Sequence, residues 1–163
     1  PDLKRVLAGF ARSLCGELER AILACAADTD ADVILLEGQS SLRNPSGPCG
    51  AEFLLSGAVS GVILQHAPGR ECYEGLDEKG CRIHSLESEI ELMALYGVPV
   101  WAVGIHTEGI DDDTAEEHRA RYEEALGLPV VLPIRDGVSR IAETVAEKLG
   151  LAAPGGNGSG GAS

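Results

Sequence analysis

Four short apolar runs, each opening onto a polar loop, constrain this chain more than any other feature. They occupy residues 33–36, 62–65, 98–105 and 129–132. Their apolar residues are consecutive instead of alternating, so both faces of each strand must be covered. A parallel sheet flanked by helices does this. Between the runs lie segments of helical character. In residues 3–27, Leu3, Val6, Leu7, Phe10, Leu14, Leu18, Ala21, Ile22 and Cys25 recur at three- and four-residue spacings. A short helix is expected over 51–55, stopped near Gly57. Ser85 is an N-cap for a helix to residue 96, with Gly97 closing it. Asp111, Asp112 and Asp113 suit the N-terminus of a helix running to 126, because negative charge is favoured there. The last helix is expected over 138–149.

The reading is therefore α/β: a three-layer sandwich with a mostly parallel sheet, forming one domain over residues 1–150. A flexible Gly/Ser-rich tail is expected over 151–163. The first helix has no strand before it, although a β-α-β unit needs one on each side. The sequence thus leads us to expect further strands upstream, in another segment or another chain.

Composition narrows the function. Twenty-six acidic against 13 basic side chains give a net charge of −13, which opposes nucleic acid or an anionic membrane as the main partner. Only 4% of residues are aromatic, so the core must be built from Ala, Val, Ile and Leu. The five cysteines are odd in number and show no C-x-x-C pair. Cys15 and Cys25 lie in apolar helical surroundings, where a free thiol behaves as a small hydrophobe. Cys72 and Cys81 flank a loop across which they can approach each other. The simplest compartment is the reducing cytoplasm, and no segment is long and apolar enough to span a bilayer. No metal site is read.

In open α/β sheets, ligands bind beyond the carboxyl ends of the strands. Here those ends carry Glu37-Gly38-Gln39-Ser40-Ser41, His66-Ala67-Pro68-Gly69-Arg70, His106-Thr107-Glu108-Gly109 and Pro133-Ile134-Arg135-Asp136. Glu37 can hold a hydrated metal, an ammonium or a hydroxyl, or merely cap a turn. Gly38 permits close backbone approach, while Ser40 and Ser41 offer donors to an oxyanion or make a tight polar turn. His66 is a general base near neutral pH and Arg70 a two-pronged clamp for a carboxylate or phosphate. Otherwise they are a backbone-bonded histidine and a solvated arginine. Thr107 and His106 are weaker candidates. Arg135 adds positive charge to the site or pairs with Asp136. The expectation is that Glu37, His66 and Arg70 share one crevice. The phosphate-loop motif G-x-x-x-x-G-K-[ST], the dinucleotide motif G-x-G-x-x-G and the G-x-S-x-G elbow are all absent from the sequence.

The order of motifs resembles a known family. Ala31-Asp-Val-Ile-Leu-Leu-Glu-Gly-Gln-Ser-Ser-Leu-Arg-Asn-Pro is similar to a strand followed by E-G-Q-G-S-L-x-H-P. Gly61-Val-Ile-Leu-Gln-His-Ala-Pro-Gly-Arg resembles the next strand, ending in His and then Arg. Ala102-Val-Gly-Ile-His-Thr-Glu-Gly resembles G-I-x-x-N-T-x-G, and Leu126-Gly-Leu-Pro-Val-Val-Leu-Pro-Ile-Arg-Asp-Gly the closing L-G-L-P-V-x-D-P-x-R-x-G. The family is the D-glutamate N-acetyltransferase (DgcN-like) group, long carried as a domain of unknown function and related to P-loop proteins such as dethiobiotin synthetase.

The resemblance covers residues 1–150 and implies the C-terminal part of a P-loop-like, Rossmann-like domain, with the phosphate loop upstream. It further implies acetyl transfer from acetyl-CoA to the amine of an acidic D-amino acid. In that scheme Glu37, at a Walker-B-like position, and His66 are catalytic. Arg70, Gln39, Ser41, Asn44 and Thr107 bind substrate, and Gly38, Ser40 and Arg135 bind the coenzyme. An upstream domain of the same protein and a homo-oligomer are further implied partners. Two alternatives stand beside it: an ATP- and magnesium-dependent ligase or kinase, and a non-catalytic ligand-binding or assembly module.

Overall fold

Val62, Ile63 and Leu64 are branched residues in a run free of Gly and Pro. They open the strand β1 (Val62–His66), which pairs in parallel with β2 (Val100–Ile105). β2 pairs in parallel with β3 (Val130–Val131), giving a three-stranded sheet in the order β1-β2-β3. The computed structural model describes residues 14–38, 41–46 and 50–152, in two compact units that divide between Ser60 and Gly61. The sheet belongs to the second unit.

The helices of this unit follow their capping signals closely. Ser85 caps α3 (Leu86–Leu95), its Oγ accepting from Ser88 N at 3.3 Å. Asp111 caps α4 (Asp112–Leu126), its Oδ1 accepting from Thr114 N at 2.8 Å. Gly127 then ends α4 in the left-handed region, at φ 62°, where a Cβ would be disfavoured. The expected loop over 133–136 is instead a four-residue helix, α5 (Pro133–Asp136), which Pro133 opens with its preset φ. The last helix, α6, spans Ser139–Leu149.

Successive strand side chains point to opposite faces, and this sorts the two helical layers. His66 meets Tyr122 of α4. Ile63, Gln65 and Gly104 share a cavity with Ile141 of α6. β2 lies between the layers, with Ala102 and Val103 fully buried and Ile105 only 1% exposed. Val130 and Leu132 are equally enclosed, and each such aliphatic side chain contributes about 1.5–3 kcal/mol by burial. This is the α/β three-layer arrangement expected from the apolar runs. A Cβ at Gly61 would lie 2.1 Å from Trp101 Cε2, so only glycine lets the chain enter β1 beneath that indole.

The loop between β1 and α3 folds back on itself through an antiparallel bridge between Cys72 and Arg82. It buries Tyr73 and Leu76. The sequence suggested that Cys72 and Cys81 can approach each other. Both are free thiols, and the bridge explains why: Cys81 is one residue out of register with Cys72, so the two side chains leave opposite faces of the ribbon.

The first unit contains α1 (Leu14–Asp28) and α2 (Ala51–Leu55). Leu18 and Ile22 are half-buried on the expected stripe of α1, whereas Cys25 is exposed, contrary to the sequence reading. The stripe before residue 14, the Cys15 side chain and the tail from residue 153 lie outside the described residues. Residues 33–36 are described but form no strand, and Leu35 is 82% exposed. An apolar run becomes a strand only when a second backbone satisfies its amides and carbonyls, and none does so here among the described residues. Among the described residues the sheet therefore has three strands where the sequence suggested four.

Candidate functional site

Two loops leave the carboxyl edge of the sheet side by side, because β1 and β2 run parallel and end in register at His66 and Ile105. His106 N donates to His66 O at 2.8 Å, extending the ladder one residue past the strands. Arg70 N donates to Ala67 O at 3.1 Å, turning the first loop back. The loops then touch at Gly69, where a Cβ would lie 2.5 Å from the Glu108 carbonyl oxygen.

This contact sets the charged groups face to face. The Arg70 guanidinium donates to Glu108 Oε2 and also stands 3.6 Å from Glu74. The Arg70 bond and charge hold the Glu108 carboxyl below the usual carboxylate range, with a smaller contribution from His106. Glu108 is 61% exposed and Arg70 34%, so the pair sits at the rim and is worth little as a structural tie. His106 Nδ1 lies 3.8 Å from the same Glu108 oxygen. Thr107 is half-buried between them in sequence.

His66 faces inward, under α4. Its Nε2 is 3.2 Å from the Tyr122 hydroxyl, and the two rings meet edge to face at 5.4 Å. His118 stacks on the Tyr122 ring at 5.7 Å, and the Arg121 guanidinium lies 4.8 Å from its centroid. Burial lowers the His66 pKa below 6.5, helped by His118 and Arg121 and opposed by Glu87. The imidazole is therefore neutral at pH 7, the form that accepts a proton.

Arg135 is engaged in a separate network. It donates to both Asp136 oxygens at 2.7 and 2.8 Å and to Glu116 at 2.8 Å. Arg119 joins Glu116 to Glu123 along α4, and Arg140 of α6 donates to Glu123 at 3.1 Å. Arg119 and Arg135 together hold the Glu116 carboxyl down at about 2. A cavity of about 310 Å³ lies among these groups, bordered by Val130 and Val131.

The remaining sequence candidates belong to the first unit. Glu37 is exposed. Gly38 lies under the Phe53 ring, where a Cβ would be 3.2 Å from Cε2. Ser41 Oγ accepts from Arg43 N at 3.3 Å, and Asn44 Oδ1 accepts from Ser46 N at 3.0 Å. Gln39 and Ser40 lie outside the described residues. Within the second unit, the structure brings together Arg70, Glu108 and His106, and sets His66 beside Tyr122. Sequence reasoning passed over Glu108 and Tyr122. Glu108 was detectable as an acid on a loop adjacent to that of Arg70, and Tyr122 as the single aromatic in a highly charged helix.

A parallel sheet between helical layers, with charged loops at its carboxyl edge, defines an open-sheet α/β domain. The chain belongs to the family described as "Domain of unknown function (DUF1611_C) P-loop domain", whose model matches residues 5–142. It is similar in fold to a solved DUF1611 family protein from Anabaena variabilis, with a TM-score of 0.68 and 22% identity. That match covers 83% of this chain and 39% of the Anabaena protein, so the chain spans well under half the length of that relative. No curated protein matches the chain.

Proposed function

We propose that this chain is part of an acyltransferase resembling D-glutamate N-acetyltransferase, which moves acetyl from acetyl-CoA to the amine of an acidic D-amino acid. The observation that supports this most is the meeting of the two rim loops. A guanidinium, a carboxylate and imidazoles stand there on adjacent strands' ends, as binding of a zwitterion and removal of an amine proton require. Arg70 binds the substrate carboxylate, exchanging Glu108 for it, with Thr107 alongside. The family resemblance assigns proton acceptance to Glu37 and His66, an assignment revised below for the histidine, and further substrate contacts to Gln39, Ser41 and Asn44. Gly38, Ser40 and Arg135 contribute to the coenzyme site, with a phosphate loop elsewhere in the protein.

Release of free thiol from acetyl-CoA, measured on the full-length protein with a panel of D- and L-amino acids, tests this reading. The expected result is turnover with D-glutamate, lost in Arg70→Ala. No turnover with any amino acid, together with tight ATP binding and magnesium-dependent hydrolysis, overturns it. The family's description as a P-loop domain favours that ligase or kinase as the second reading.

A further inference from the structure

Glu108 Oε2 faces two partners at once: it accepts from Arg70 Nη2 and stands 3.8 Å from His106 Nδ1. That nitrogen is buried and makes no hydrogen bond among the described residues. A buried polar atom left in this way calls for an explanation. His106 also borders a cavity of about 280 Å³ on the α6 face of the sheet, walled by Ile63, Gln65, Gly104, Pro133 and Ile141. An apolar slot with one titratable ring at its carboxyl-edge end, and a carboxylate behind that ring, has the makings of an acid–base site.

We propose that this cavity is an acyl-binding slot and that His106, backed by Glu108, is the general base for the attacking amine. The proposal rests on the acyl-transfer reading and gives the base's role to His106, a weaker candidate in the sequence, with Glu108 behind it. The substrate carboxylate takes the Arg70 guanidinium, which frees Glu108 Oε2 to accept from His106 Nδ1–H. His106 Nε2 then carries the lone pair. The neutral amine attacks the thioester carbonyl, the N–C bond forms, and the amine proton passes to Nε2. The C–S bond breaks, and the imidazolium returns that proton to the departing sulfur, leaving an amide and a free thiol.

The slot's apolar walls suit the acyl carbons. The charged groups facing His106 are Glu108 from its own loop and Arg70 from the loop after β1, with Glu74 beyond Arg70. From α5 and α6 only Pro133, Ile134 and Ile141 face the cavity, and they carry no charge.

Histidine ring NMR on the full chain, with D-glutamate added stepwise at fixed pH, reads the switch without requiring turnover. In the wild type D-glutamate moves the His106 ring nitrogen signals, because Glu108, released by Arg70, becomes the acceptor for Nδ1–H. In Glu108→Gln it leaves the ring unmoved. The acetyl thioester of N-acetylcysteamine, used as the acyl probe, shifts the δ1-methyl signals of Ile63 and Ile141. His106→Gln lowers kcat about 10²–10⁴-fold, the range for loss of a positioned base, with KM for acetyl-CoA nearly unchanged. His106 ring signals indifferent to D-glutamate, or equal movements in wild type and Glu108→Gln, overturn the dyad. Methyl responses confined to other isoleucines overturn the slot. Both NMR responses without turnover would sink the transferase reading and leave this site standing. Turnover that His106→Gln leaves intact would do the reverse.

Discussion

Substituting Gly69 by alanine tests the join on which the rim depends. The glycine's φ lies outside the left-handed region, so the substitution is free of backbone strain and acts through space alone. Its Cβ would lie 2.5 Å from the Glu108 carbonyl oxygen and 3.1 Å from Ile110 Cγ2. The first of these is backbone and cannot rotate away. Restoring an ordinary contact moves one loop by roughly 1 Å, at an overpacking cost of about 1–3 kcal/mol. In a chain of this length that lowers Tm by roughly 2–4 °C for each kcal/mol. The same displacement separates Arg70 from Glu108, and a misplacement of about 1 Å at a reacting site can cost 10²-fold in rate. Urea unfolding followed by circular dichroism measures the first effect, and kcat/KM for acetyl transfer the second. Backbone amide shifts of Glu108 and Gly109 report whether the loop has moved. A Gly69→Ala protein with a wild-type midpoint and unshifted Glu108 and Gly109 amides would refute the reasoning, because the two loops then cannot be as close as described.

Leu132→Ala, at a residue 1% exposed, is expected to cost about 2–5 kcal/mol by leaving a cavity at the end of β3, read from the urea midpoint. Arg140→Ala, by contrast, removes a half-exposed partner of Glu123 and should cost only about 0.2–1 kcal/mol, less in high salt. The pH dependence of stability has a definite sign. His66 and His118 both titrate below 6.5 when folded, so the unfolded chain binds more protons. Their stability contribution is full above about pH 6.5 and is lost as pH falls from there through the folded values. Urea midpoints between about pH 5 and 8 check this, and a midpoint that rises on acidification through that window would contradict it.

The sheet was legible because three of the four apolar runs found partners, and their chemistry alone required coverage on two faces. Capping was legible for the same local reason: Ser85 and Asp111 satisfy amides within three residues of themselves. The run at 33–36 shows the limit. Its Val, Ile and Leu residues are as strand-like as those of β1, yet a ladder needs a second backbone, and hydrophobicity does not supply one. Pro133–Asp136 was missed because a four-residue helix has too few turns to display a period.

The site divides along the same line. Topology placed His66, Arg70, His106 and Arg135 beyond strand ends, and topology follows from the order of elements. Which way each side chain leaves the sheet depends on parity, and parity depends on register. The irregularity between Val62 and Ile63 shifts β1 against β2 by one residue. Alternation along β1 puts His66 on the face of Leu64, where it meets Tyr122, while Gln65 takes the opposite face and borders the cavity beside His106. A one-residue difference in pairing would exchange those roles. Charge pairing is equally non-local: Arg70 and Glu108 are 38 residues apart, and only the parallel pairing of their strands makes them neighbours. It follows that the base must be sought on the side of the sheet where the cavity lies. A His66→Gln variant tests this parity argument directly. If chemistry occurs on the α6 face, His66→Gln lowers stability through Tyr122 and leaves the pH profile of kcat in place, whereas His106→Gln removes the fall of kcat at low pH that a general base produces. A profile that follows His66 instead would put the reaction on the α4 face and refute the assignment by register.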